Sequence, residues 1–304
     1  MKLKTLGIGI GAVLGLLILV VALFFVFFPK ELAAREAEKR IEEATGRELT
    51  LGDNIGVSFW PALGFSVDQA VLSNPEEFAG GQPFLAADRI VFAVRVMPLI
   101  AGRVEVKELI LDGARLNLMA REDGAANWTF PTEQSAPQQQ TTLEDLRLDD
   151  VRLNNAAISF QGAEGAPMAL EDVDASLALE SLDKPAALEA AFNYRGERLG
   201  VTGEIGLPRA VLEKGETPLS AQVRANPLNA EFDGAFNAAT GALSGSLNAN
   251  GGSLRRLMAW MGSPMGEGGG FGPFRIAAQM AHAGQETALT DAALTLDSIT
   301  ARGR

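Results

Sequence analysis

Residues 104–118 read VEVKELILDGARLNL, and residues 146–160 read LRLDDVRLNNAAISF. The first stretch has apolar side chains at Val104, Val106, Leu109 and Leu111, and the second at Leu146, Leu148, Val151 and Leu153, 42 residues on. Phe65, Val67, Ala70 and Leu72 show the same spacing 39 residues before the first stretch. Each copy alternates with period two, takes one two-residue step, and ends on Asn74, Gly113 or Asn155. The later copies extend further, Ala114, Leu116 and Leu118 matching Ala156, Ile158 and Phe160. Alternation of this kind marks half-buried β-strands. The two-residue step reads as a bulge or bend that increases twist. Bent hairpins repeated in this way stack into an elongated, curved antiparallel sheet in which each unit touches its neighbours.

Strand patterns continue on both sides of these copies. Ile90, Phe92, Val94 and Val96 share one face, and Val173, Leu177, Leu179 and the run from Leu188 to Phe192 resume the alternation later. Beyond that, Gly196, Gly200, Gly203, Gly206, Gly234, Gly241 and Gly245 punctuate the chain as in an antiparallel meander. Glu31–Thr45 reads as a charged helix with Gly46 as its natural stop. Ser253–Met261 reads as a second helix, capped by Ser253 and followed by a Gly-rich loop at 262–272. Residues 131–142, PTEQSAPQQQTT, have no periodicity and read as a polar linker or long loop.

A sheet with one apolar face needs cover. The two short helices are only weakly apolar, so two arrangements stay open at this point. The sheet folds against a second sheet as a closed sandwich, or it curls into a gutter whose inside accepts an apolar ligand.

Composition narrows the functions. The 304 residues hold 26 basic and 38 acidic side chains, a net charge of −12. That balance argues against nucleic acid as a partner, because phosphate recognition needs clustered Lys and Arg. There is no cysteine and one histidine, His282, so thiolate chemistry and His-clustered metal sites are excluded. We assign no catalytic residues, no metal and no cofactor. Asp149–Asp150 and Glu171–Asp172 are adjacent carboxylates that point to opposite faces of a strand, and read as solvated charges at sheet edges. The loop at 262–272 lacks the spacing of a phosphate cradle, and His282 reads as an exposed residue at a strand end.

The N-terminus carries an uncharged run from Leu6 to Phe28, 23 residues and long enough to cross a bilayer core. Lys2 and Lys4 precede it, which puts the N-terminus in the cytoplasm and the rest of the chain outside. The run is too long and its end too bulky for a cleaved signal peptide, so it reads as an uncleaved anchor.

An ordered series of short motifs follows this anchor. It comprises Trp60-Pro61-Ala62-Leu63-Gly64, Leu72-Ser73-Asn74-Pro75, Met97-Pro98-Leu99-Ile100-Ala101-Gly102, Leu111-Asp112-Gly113 and Gly124-Ala125-Ala126-Asn127-Trp128-Thr129-Phe130. The series resembles the AsmA family of bacterial inner-membrane-anchored periplasmic proteins, most strongly over residues 1–130. The resemblance implies a long, taco-shaped gutter of antiparallel strands and membership of the bridge-like lipid-transfer class. It implies roles in phospholipid movement to the outer membrane and in outer-membrane biogenesis, and it brings no catalytic residues. Members are usually longer, and alternation still runs at 298–304, so the expectation is a piece of a longer protein.

The expected organisation is an anchor at 1–29, a β domain at 30–130, the polar linker at 131–142 and a continuing β domain at 143–304. The expected lipid groove is lined by Phe65, Val67, Val104, Val106, Leu109 and Leu111, with Leu116, Leu118, Leu146, Leu148, Val151 and Leu153. Trp60, Pro61, Asn74, Pro75, Asn127 and Trp128 are expected to be structural. The expected partners are phospholipid acyl chains, the inner membrane through residues 6–28, and other envelope proteins. The alternative is a non-enzymatic assembly factor for outer-membrane proteins with a closed β core.

Overall fold

A computed structural model describes residues 45–58, 62–100, 105–129, 147–163, 167–266, 268–284 and 286–303, together with 35, 38, 39 and 41–43. In chain order the strands are β1 (Leu49–Leu51), β2 (Ile55–Ser58), β3 (Ala62–Leu72), β4 (Leu85–Arg95), β5 (Glu105–Asp112), β6 (Arg115–Met119), β7 (Arg147–Gln161) and β8 (Met168–Leu179). They continue as β9 (Ala186–Tyr194), β10 (Glu197–Ile205), β11 (Glu216–Arg224), β12 (Asn229–Asn237), β13 (Ala242–Gly251), β14 (Phe274–Ala283), β15 (Glu286–Leu296) and β16 (Ile299–Arg302). All sixteen join one sheet. Three short helices, α1 (Val96–Ile100), α2 (Pro208–Leu212) and α3 (Leu254–Trp260), sit in the connections.

The order along the sheet follows the chain, with β2 beside β3 and β6 between β4 and β7, and the antiparallel direction breaks at one place. β5 and β6 pair with β7 in parallel, with Val106 opposite Leu148, Leu111 opposite Leu153 and Leu118 opposite Phe160. The 42-residue repeat is therefore the register of a parallel pair. This corrects the expectation of an antiparallel sheet made wholly of hairpins. Parallel neighbours need a long crossover, and the polar residues 131–142 lie within it, outside the described residues.

The expected bulge or bend is present in all three copies, in the first as a bend with the β3–β4 register unbroken. In the first, Gln69 takes a left-handed conformation with φ 63°. In the second, the β4–β5 ladder slips at Ala93/Val94, and in the third the β7–β8 ladder slips between Leu148 and Val151. A further break falls where each later copy ends, at Gly113 (φ 59°) and Asn155 (φ 49°), and β8 adds Asp172 (φ 48°). The break has a clear use. Strict alternation from Leu111 would send Leu116 to the opposite face. The left-handed residue resets the alternation, so Ala114 and Leu116 return to the face of Leu111. At Gly113 a Cβ would lie 2.1 Å from Oδ2 of Asp88, so a larger residue there must displace that carboxylate as well as take a left-handed conformation.

These breaks align across neighbouring strands and crease the sheet. Ala87, Ala114, Ala156 and Val173 are buried along the crease, with Leu85, Ile90, Leu111, Leu153, Ile158, Leu170 and Phe192 packed over them. Larger apolar side chains on neighbouring strands cover these small ones, so this part of the sheet gains a core without a second layer among the described residues.

The helix ends follow their sequence signals. Gly46 has φ 67°, and its N–H donates to the Glu42 carbonyl at 2.8 Å. Ser253 caps α3 by accepting from the Arg256 N–H at 3.2 Å. Among the described residues there is no second sheet, and no helix is long and apolar enough to cross a membrane. The anchor expected at 6–28 lies outside the described residues.

Candidate functional site: an apolar sheet face

Tracing register partners from strand to strand yields a row of side chains running the length of the sheet. It passes from Val67 to Ile90, Leu111, Leu153, Ala175, Ala190, Val201, Val223, Ala230, Ala249, Ile276, Leu294 and Ala301. Every member is apolar. At about 4.8 Å per strand the row is about 58 Å long. A second row beside it runs Phe65, Phe92, Leu109, Val151, Leu177, Leu188, Gly203, Ala221, Phe232, Leu247 and Ala278.

The opposite face differs from β7 onward. One row there reads Arg152, Ser176, Glu189, Thr202, Gln222, Glu231 and Asn248, although the same row continues through Ile110 and Val91 on β5 and β4. A twisted sheet is saddle-shaped, so both faces have a concavity. The best-formed depression, about 530 Å³, is on this polar side and is lined by Ser176, Glu189, Thr202, Glu204, Ser220 and Gln222 among others. The apolar face is an open strip rather than an enclosed cavity.

Phe65, Val67, Val106, Leu109, Leu111, Leu116, Leu118, Leu148, Val151 and Leu153 stand on the apolar face. Val104 and Leu146 lie outside the described residues. Exposure varies from strand to strand along the strip. Val67 is 1 % exposed beside the crease, whereas Phe92 reaches 38 %, Leu188 43 % and Leu294 38 %. Sequence reasoning missed Phe92 and Leu188 as lining residues and missed the C-terminal half of both rows. There Ala, Gly and Ser alternate too faintly for a period to stand out.

The motif residues meet in a polar knot at one end of β6. Asn127 is 0 % exposed. Its Nδ2 donates to Oδ1 of Asn74 at 2.8 Å and to the Asn117 carbonyl at 2.7 Å, and its Oδ1 accepts from the Met119 N–H at 2.8 Å. Asn74 in turn donates to the Gln82 carbonyl at 2.6 Å. Pro75 opens a short 3₁₀ turn at Glu76–Phe78. Trp128 is exposed, with its ring centroid 5.9 Å from that of Phe160. Trp60 and Pro61 lie outside the described residues. Arg47 is buried nearby, over the Phe84 ring, and its Nη2 donates to the Thr129 carbonyl at 3.1 Å. Burial lowers its pKa.

The carboxylate pairs are not at sheet edges, which corrects the sequence expectation. Asp149 and Asp150 lie on interior strand β7. Asp149 accepts from Arg95 and, at 2.6 Å, from Nε of Arg147, while Asp150 pairs with Arg152 at 2.7 Å. Burial pushes the Asp149 carboxyl up, but the hydrogen bonds from Arg147 and Arg95 outweigh it and hold the group below the usual range. These are structural ion pairs. Asp172, also on an interior strand, accepts from Asn193 at 2.6 Å. In the Gly-rich loop, the Asp297 carboxylate accepts the N–H groups of Phe271 and Gly272. His282 sits near the end of β14, with Nδ1 2.8 Å from Oγ1 of Thr287. Among the described residues no group of three or more His, Cys, Asp or Glu is placed to hold a metal.

The described residues form a single β layer with one apolar face and one largely polar face. The AsmA family profile matches residues 1–262, and the chain belongs to the AsmA family. That family is in general not one of enzymes. No curated protein and no solved structure matches the chain.

Proposed function

We propose that this chain is a membrane-anchored envelope protein that carries phospholipid acyl chains on its apolar sheet face. Residues 6–28 hold it in the bacterial inner membrane, and the sheet stands in the periplasm. Its work is phospholipid transport between the inner and outer membranes, and through it outer-membrane biogenesis. The unbroken apolar row from Val67 to Ala301 is the observation that supports this reading. Each acyl CH₂ moved from water onto such a surface gains about 0.8 kcal/mol, with no directional contact needed. The polar headgroup stays in water while the chain slides, so the face favours no lipid over another. The family's link with lipid transport and envelope assembly agrees with this reading. The alternative, an assembly factor with a closed core, requires a second layer over the strip, and the described residues contain one sheet.

A photo-reactive amino acid at Leu109 or Leu188, in the full chain inserted in membranes, tests the proposal. The expected result is phospholipid adducts at both positions and none at Thr202 on the polar face. Absence of lipid at both apolar positions, in folded protein, would contradict it.

A further inference from the structure

The connection between β13 and β14 is unlike the tight turns around it. It spans residues 252–273 and contains α3, whereas β9 and β10 are joined by Arg195 and Gly196 alone. Side chains of α3 bond to that hairpin. Nε1 of Trp260 donates to the Tyr194 carbonyl at 3.1 Å, and its ring meets the Tyr194 ring edge-on at 5.7 Å. Nη1 of Arg195 donates to the Trp260 carbonyl at 3.1 Å, and Arg256 pairs with Glu197 at 3.0 Å.

Alternation along β9 and β10 puts Tyr194 on the face of Leu188 and Ala190, and Glu197 on the face of Val201. α3 therefore lies on the apolar side. It starts beside β13 and reaches β10, three strand spacings or about 14 Å away. Burial follows its path. Leu199, Phe232, Phe274 and Leu257 of α3 itself are buried, whereas Leu188, Leu289 and Leu294 outside its span are exposed.

The two ends of α3 are held differently. At its start, the N–H groups of Leu254 and Arg255 donate to the carbonyls of Gly272 and Phe271. Gly251 and Gly252 precede it, and Gly262 follows it with φ 88°. At its far end, Trp260 is held to the β9–β10 hairpin through Tyr194 and Arg195.

We propose that α3 is a strap across the apolar face, hinged at Gly252 just after the last β13 pair and latched by Trp260 and Arg256 onto Tyr194 and Glu197. Closed, it shields the strip over β10–β13 from water. Open, it admits an acyl chain from the side of the groove rather than only from its ends. The proposal rests on the lipid reading of that face.

The chain has no cysteine, so a pair can be introduced cleanly. The full-length E197C/R256C protein, joined by a short bismaleimide with a reducible linker, is mixed with phosphatidylethanolamine–phosphatidylglycerol vesicles carrying pyrene-labelled phosphatidylcholine. The expected result is uptake of the pyrene lipid at least tenfold slower when linked, restored when the linker is reduced. Trp260→Ala, which loosens the latch, is expected to speed uptake several-fold. Equal rates for linked and unlinked protein would overturn the strap while leaving the lipid reading intact. No uptake by the unlinked wild-type chain would overturn the lipid reading and the strap with it.

Discussion

The segment from β3 to β8 and the segment from β9 to β14 belong to one sheet but are stabilised differently. In the first, strands of up to fifteen residues carry left-handed breaks at Gln69, Gly113, Asn155 and Asp172, and their ladders slip in several places. In the second, five consecutive pairings run without a slip. The creased half buries a line of small side chains under larger apolar neighbours. The regular half has no crease; its first apolar row is Ala, Val and Ile rather than Leu, and over β10–β13 its cover is α3. A single layer can thus build a core by creasing, and the uncreased part leaves its apolar face free for something else to cover.

The largest effect that would break this contrast is at a glycine. Gly113→Val places a Cβ against Asp88 at a left-handed position and is expected to cost on the order of 3 kcal/mol in urea unfolding. Gly203→Ala in the regular half meets only the Ser220 carbonyl at 3.5 Å and should change stability by less than about 0.5 kcal/mol. Similar costs at both sites would remove the distinction between the halves. Overpacking gives the next contrast. Ala156→Leu in the crease is expected to cost about 2 kcal/mol, while Ala301→Leu at the exposed end of the apolar row is nearly neutral. Asn127→Ala leaves buried partners unsatisfied in the knot beside the crease, and about 1.5 kcal/mol is the expected loss.

The smallest effect is electrostatic. Asp149 has a lowered pKa when folded, so its contribution is fully present above the unfolded carboxylate value and disappears as pH falls through the folded one. Asp149→Asn should destabilise by less than about 1 kcal/mol at neutral pH, because the pair is partly solvated. Urea midpoints of variant and parent should converge as the pH is lowered into that acid range.

Much of this was legible in the residues. The alternation of Leu109, Leu111, Leu116 and Leu118 identified strands with one apolar face, and the 42-residue offset is the register of β5 against β7. Ser253 and Gly46 marked helix ends because caps are local chemistry. What the sequence hid was relational. A period of two carries no strand direction, so the parallel pair was invisible. The knot joins Asn74 to Asn127 across 53 residues, and no local pattern announces it. α1 and α2 have five residues each, too few for a helical period to register.

The central claim is that the apolar face is lined for acyl chains and reachable by them. Nitroxide labels placed singly at positions 187–192 of the full-length protein, in phospholipid vesicles, test it most directly by collision with oxygen and with a water-soluble nickel complex. The account predicts a period of two: positions 188, 190 and 192 in an oxygen-rich, nickel-poor environment, and positions 187, 189 and 191 open to nickel. Equal access to nickel at all six, with lipid present, would contradict it.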